Sequence, residues 1–220
     1  MLRDAAVALF IFTIAPYVIA PLYRVIDPVS MPILWRWITG QRVERVWVPL
    51  SQMSPNVPRA VIAAEDGRFC HHRGIDTVEL REAIADAQAG EAARGASTIT
   101  QQVAKNLFLW GGRSYVRKAL ELPLALWIDR AIGKRRIMEI YLNIAEWGPD
   151  GEFGVEAGAR RAFGIGAADV SAPQAALLAS VLPNPARRNA RAPGPGLRRI
   201  AGIHLRRMRA AGIDSCLRLR

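Results

Sequence analysis

Four segments of the chain concentrate residues able to move protons or hold anions. Residues 65–74 read Glu-Asp-Gly-Arg-Phe-Cys-His-His-Arg-Gly. Adjacent carboxylates such as Glu65 and Asp66 repel, which keeps a proton on one of them to higher pH and suits it to acid–base work. The same pair would also serve as an ordinary solvated helix end. Residues 95–106 read Gly-Ala-Ser-Thr-Ile-Thr-Gln-Gln-Val-Ala-Lys-Asn, a polar loop entering a helix. Ser97 and Thr98 offer hydroxyls and amide donors at a helix N-terminus, where anions bind. On that helix Gln101 and Lys105 share one face, and Gln102 and Asn106 the next. Four long polar groups on adjoining faces suit a sugar phosphate better than a core.

Residues 113–121 read Arg-Ser-Tyr-Val-Arg-Lys-Ala-Leu-Glu. Helical spacing pairs Arg117 and Lys118 with Glu121, either as surface ion pairs worth about 0.3–0.5 kcal/mol or as an anion site with its own carboxylate. Cations in a helix's first turn oppose its dipole, a cost that a bound phosphate relieves. Residues 134–143 read Lys-Arg-Arg-Ile-Met-Glu-Ile-Tyr-Leu-Asn, with Glu139 and Asn143 on one face. Lys105, Lys118 and Lys134 are the chain's three lysines among 30 basic residues, and all fall in these segments. A chain that otherwise writes its cations as Arg has a use for a compact ammonium there.

Other chemistries lack their residues. The positions three before the lysines are Gln102, Tyr115 and Ala131, so the Ser-x-x-Lys of penicillin-binding acyl enzymes is missing, as are the zinc-protease and nucleophile-elbow motifs. Two cysteines and three histidines leave little for a metal centre or a disulfide scaffold. Cys70, among motif residues, is expected as a small, buried, unpaired apolar side chain. A net charge of +11 calls for an anionic partner.

The elements that must position these segments read as helices. A charge-free run of 19 residues, Ala5 to Tyr23, has the length of a membrane span and lacks a signal-peptidase site. Residues 1–26 are expected as an uncleaved transmembrane anchor and 27–220 as one folded domain, its motif-bearing core at about 45–190. Met31 to Ile38, with two tryptophans, suits a membrane interface or the core. Helix signals follow: Pro58 to Gly67; a capping pattern from Asp76 to Gln88; Thr98 to Trp110; Ser114 to Ile132; Lys134 to Trp147; Glu156 to Phe163; Ser171 onward; and a basic helix at about 196–212. No strand rhythm is evident. The expected fold class is all-α.

The four segments, in this order, resemble the peptidoglycan glycosyltransferases of glycosyltransferase family 51. That family's E-D-x-x-F-x-x-H-x-G is met by Glu65, Asp66, Phe69, His72 and Gly74. Its G-x-S-T-I-T-Q-Q-x-x-K-N runs from Gly95 to Asn106, and its R-K-x-x-E is Arg117, Lys118 and Glu121. Its K-x-x-I-x-E-x-Y-L-N matches Lys134, Ile137, Glu139, Tyr141, Leu142 and Asn143. Gly158 stands where Ala is usual, Ala162 where Tyr is, and Gln174 where Glu is.

The resemblance implies a lysozyme-like helical head with a small membrane-proximal jaw, most similar to monofunctional, membrane-anchored members. It implies lipid II and the growing glycan strand as substrates, membrane lipid and cell-wall synthesis or division proteins as partners, and no nucleic acid. It implies an inner-membrane location with a periplasmic catalytic domain. Glu65 would be the general base and Glu121 the second carboxylate. Ser97, Thr98, Gln101, Gln102, Lys105, Asn106, Arg113, Arg117, Lys118 and Lys134 would hold substrate and pyrophosphate. Asp66, Phe69, His72, Gly74, Glu139, Tyr141 and Asn143 would support them. No cofactor is required, though a divalent cation, Mg or Mn, is compatible. Two other readings share features: a lysozyme-like hydrolase, which needs a raised-pKa acid but no cation cluster, and a membrane-tethered basic protein that binds anionic lipid.

Overall fold

Capping chemistry sets most helix boundaries in the computed structural model, which describes residues 2–90, 97–112 and 114–217. Asp76 Oδ1 accepts the backbone N–H groups of Val78 and Glu79 at 2.9 and 3.2 Å and starts α4, Thr77–Gln88. Thr98 and Gln101 form a reciprocal capping box at the start of α5, Ile99–Phe108. Ser114 accepts from the Arg117 N–H to begin α6, Tyr115–Ile132. Gly133, at φ 86°, ends α6 and opens α7, Lys134–Ile144. Ser171 and Gln174 cap α9, Ala172–Val181, so the Gln that departs from the family pattern still serves as a cap.

The remaining helices are α1 (Leu2–Ile19), α2 (Met31–Ile38), α3 (Asn56–Glu65), α8 (Val155–Phe163) and α10 (Pro195–Arg207). The domain is mainly helical. Among the described residues the one small sheet is a parallel pair, β1 (Glu44–Arg45) beside β2 (Glu152–Phe153), too short for any alternation to show in the sequence.

Two packed groups build the core. In the first, α3 buries Val57, Ala60, Val61 and Ile62 against α9, and α9 in turn packs on α10. In the second, α5 lies against α6 and α7, and every residue of α7 from Ile137 to Ile144 is buried. Gly74 fastens the loop after α3 to α6. At φ 83° it sits so close that a Cβ would lie 2.5 Å from the Ala125 carbonyl oxygen.

The uncharged N-terminal run forms α1 and a 3-10 turn, Ala20–Arg24. Among the described residues no helix is long and apolar enough to cross a membrane. Trp127 Nε1 donates to the Tyr17 carbonyl at 2.9 Å, tying α1 to α6. On α2, Trp35 and Trp37 are 64% and 54% exposed, so this helix turns its indoles outward and not into the core.

One expectation is overturned. Cys70 is not an unpaired buried thiol: it is bonded to Cys216, with Cα atoms 5.3 Å apart. Their separation of 146 positions hid the pairing, because only the packing of α10 on α3 and α9 brings the C-terminus back to the loop after α3.

Candidate active site

Glu65 is the last residue of α3, and Asp66 is the cap beyond it. The two carboxylates do different work. Asp66 is buried, accepts the Ile99 N–H at 2.9 Å, and lies 2.9 and 3.0 Å from His72 Nε2. It thus joins the end of α3 to the positive N-terminus of α5, where a carboxylate is favoured. His72 in turn meets the Phe69 ring edge-on. Asp66, Phe69 and His72 brace the turn that follows Glu65.

Glu65 keeps an open side. Its Oε2 accepts one hydrogen bond from Gln102 Nε2 at 2.9 Å, and the residue lines a cleft of about 850 Å³. Gln102 Oε1 accepts from the Tyr141 hydroxyl at 3.1 Å. Burial raises the Glu65 pKa above the ordinary carboxylate range, and Asp66 adds to this; Gln102, Arg188 and Lys105 pull it back. The result is a carboxylate more basic than a surface glutamate.

A cation group lies beyond Ser97, which lines the same cleft. Lys118 Nζ donates to Ser97 Oγ at 2.8 Å and stands 3.3 Å from Glu121 Oε2. Arg117 pairs with the other oxygen, Glu121 Oε1. Glu121 is 3% exposed, so these are shielded ion pairs and not the surface pairs that helical spacing also allowed. Burial and mutual repulsion pull both Lys105 and Lys118 below the ordinary lysine pKa, with Arg117 the main repelling charge in each case. Glu121 therefore balances two close cations while Lys105 adds repulsion at Lys118, an arrangement that a phosphorylated ligand would relieve.

Several expected ligands are placed otherwise. Thr98 and Gln101, both buried, spend their side chains on the α5 cap, and Thr98 Oγ1 also donates to the Gly74 carbonyl at 2.6 Å. They shape the cleft edge and are not free to hold substrate. Lys134 pairs with Asp129 at 2.7 Å and lies 4.4 Å above the Phe69 ring, a packed cation–π position behind the loop after α3. Asn106 is half-buried one turn beyond Gln102. Arg113, with the motif residues Gly95 and Ala96, lies outside the described residues.

Glu139 and Asn143 are structural. Glu139 accepts the Leu50 N–H at 2.8 Å; Asn143 accepts from the Val48 N–H and donates to the Val48 carbonyl, both at 2.9 Å. They clasp the segment leading into α3. Arg188 was not anticipated. Its Nη1 donates to the Ser180 carbonyl at 2.7 Å, and its charge favours the Glu65 carboxylate. It follows two prolines in a loop outside every motif, so no local signal marks it.

The arrangement can do two things at once: take a proton from a hydroxyl at Glu65 and hold negative charge at the Lys105, Arg117 and Lys118 group. It is the layout of a group-transfer enzyme whose leaving group is an anion. The transglycosylase family profile matches residues 33–209, and the chain belongs to that family. A biosynthetic peptidoglycan transglycosylase from Nitrobacter hamburgensis is 59% identical over 203 residues, covering 92% of this chain and 90% of that protein. One from Nitrobacter winogradskyi is 56% identical over 215 residues, covering 98% and 95%. One from Agrobacterium fabrum is 51% identical over 201 residues, covering 90% and 88%.

Proposed function

We propose that the protein polymerises lipid II into β-1,4-linked glycan with release of undecaprenyl pyrophosphate, as a monofunctional peptidoglycan glycosyltransferase. The observation that carries this reading is the pairing of a half-buried, raised-pKa Glu65 on the cleft with a cation group just beyond Ser97. Glu65 takes the proton from the acceptor sugar's 4-hydroxyl as that oxygen attacks the donor's anomeric carbon. The bond to pyrophosphate breaks, and the electron pair leaves with it. Lys105, Arg117 and Lys118 offset the growing charge, so this leaving group needs no proton donor. Gln102 aims Glu65. Glu121 keeps Arg117 and Lys118 in place between turnovers.

Both Glu121 oxygens face cations, and among the described residues no cluster of three or more His, Cys, Asp or Glu is arranged around a metal ion. These residues do not fit a divalent cation, and no step is routed through one.

The reading extends to architecture and place. The head would be lysozyme-like, with the exposed indoles of α2 on the jaw that meets the bilayer. Residues 5–23 would anchor the chain in the inner membrane with the domain on the periplasmic side, where the substrate's polyprenyl tail stays in lipid. Incubating membrane-extracted protein with lipid II and resolving glycan on a gel tests the reaction. A ladder of polymer is expected; unchanged lipid II, or cleavage of preformed glycan instead, defeats the reading.

A further inference from the structure

The cleft that Glu65 faces has a wall drawn from the far end of the chain. Arg207, Ala210, Ala211 and Ile213 line it together with Glu65 and Ser97. Most of this wall lies beyond residue 209, where the family profile ends. It is nevertheless firmly held. Met208, Ile213 and Leu217 are buried in the core. Arg59 Nε reaches Asp214 at 2.8 Å from α3. Cys216 is bonded to Cys70, and its own N–H points at Cys70 Sγ at 3.2 Å. Cys70 belongs to the turn Phe69–His71, directly after Glu65 and Asp66. The C-terminal wall and the turn that follows the base are therefore one covalent unit.

The cations of this cleft are not equivalent. Arg68 is engaged by Asp76 at 3.1 Å. Lys118 sits behind Ser97 with Glu121. Arg207 is exposed on the cleft and forms no ion pair with a described residue. A guanidinium so placed takes an oxyanion through two parallel hydrogen bonds.

Resting on the reading given above, we propose that Arg207, the last residue of α10 and held at the cleft by the packing of that helix on α9 and α3, is a substrate-binding residue for an oxyanion of the lipid-linked substrate. That oxyanion is a carboxylate of the peptide or an oxygen of the pyrophosphate. The helix holds Arg207 in place and does not itself react.

The experiment uses the full-length oxidised protein and measures dissociation constants and steady-state polymerisation on two substrates: lipid II with free peptide carboxylates and lipid II with those carboxylates amidated. Arg207→Gln should raise Kd and KM about two- to fivefold with kcat unchanged, the scale of one exposed charge pair. Arg207→Lys should recover part of the loss. An effect confined to the free-carboxylate substrate assigns the peptide; an equal effect on both assigns the pyrophosphate. Unchanged Kd and KM in Arg207→Gln on both substrates overturns the proposal. Wild-type protein that binds lipid II without polymerising it defeats the reaction assigned above, while the dissociation constants still decide Arg207.

Discussion

The side-chain amide of Gln102 donates to Oε2 of Glu65 across 2.9 Å, from a helix 37 residues further along the chain. Its direction follows from its partner: an ionised carboxylate only accepts, so the NH₂ end of Gln102 faces Glu65. The amide oxygen then accepts from the Tyr141 hydroxyl, which burial keeps protonated. A base that accepts one such bond is oriented yet keeps lone pairs for a substrate hydroxyl.

Glu65→Gln should therefore leave the fold intact and remove the base. Polymerisation is expected to fall by about 10²–10⁴, the usual worth of positioned proton transfer. Lipid II binding should change little, since the Lys105, Arg117 and Lys118 group remains. A folded variant polymerising at the parent rate would exclude Glu65 as the base.

The pH dependence has a definite sign. Glu65 works as the carboxylate, and its pKa is raised, so activity lost on acidification should disappear at a higher pH than an ordinary glutamate would set. Gln102→Leu removes a bond that favours the charged form, so the acid limb of kcat/KM should move further up. On the alkaline side, Lys105 and Lys118 titrate below the ordinary lysine value, which brings the basic limb down. An acid limb unmoved by Gln102→Leu would contradict this account of Glu65.

The three lysines should separate by role. Lys118 fits between Ser97 Oγ and Glu121 as a point charge, so Lys118→Arg should impair polymerisation although charge is kept. Lys134→Met should act on stability instead. It leaves Asp129 shielded without its partner, a cost of about 1–3 kcal/mol read as a lowered melting temperature. If Lys134→Met spared stability but abolished substrate binding, Lys134 would rejoin the anion site.

Two glycines carry opposite lessons about the family pattern. Gly74→Ala forces a left-handed backbone and a clash with the Ala125 carbonyl, and should cost about 1–3 kcal/mol. Gly158→Ala would install the residue usual in relatives, yet a Cβ there lies 2.6 Å from Trp147 Cβ. Overpacking of about 1–3 kcal/mol is expected, so the more typical residue should be the less stable one. Thermal unfolding of both variants checks the pair.

Helices were legible where their ends carry chemistry: Asp76, Thr98, Ser114 and Ser171 each mark a start by side-chain capping. The site was legible where motif residues act together, as at Glu65, Gln102, Lys118 and Glu121. It was not legible where a residue type fits two uses. Thr98 and Gln101 have the right groups for a phosphate, but the backbone N–H groups of α5 claim them first. Lys134 has the right charge, but Asp129 and the Phe69 ring claim it. Arg188 and the Cys70–Cys216 bond depend on long-range packing, which leaves no local periodicity to read.

Two helices, α6 and α7, take most of the polar contacts that hold the N-terminal stretch to the domain: on α6, Trp127 donates to the Tyr17 carbonyl and the Ala131 carbonyl accepts from Arg24. Arg136 donates to the carbonyls of Tyr23 and Ile26 and pairs with Asp27; Glu139 holds Leu50, and Asn143 holds Val48. These contacts form a load path. A pull on the first fifty residues is delivered to α6 and α7 before it reaches α3. The helix carrying Glu65 is thereby spared tension applied through those residues, so force on the N-terminal stretch should leave the geometry at Glu65 undisturbed.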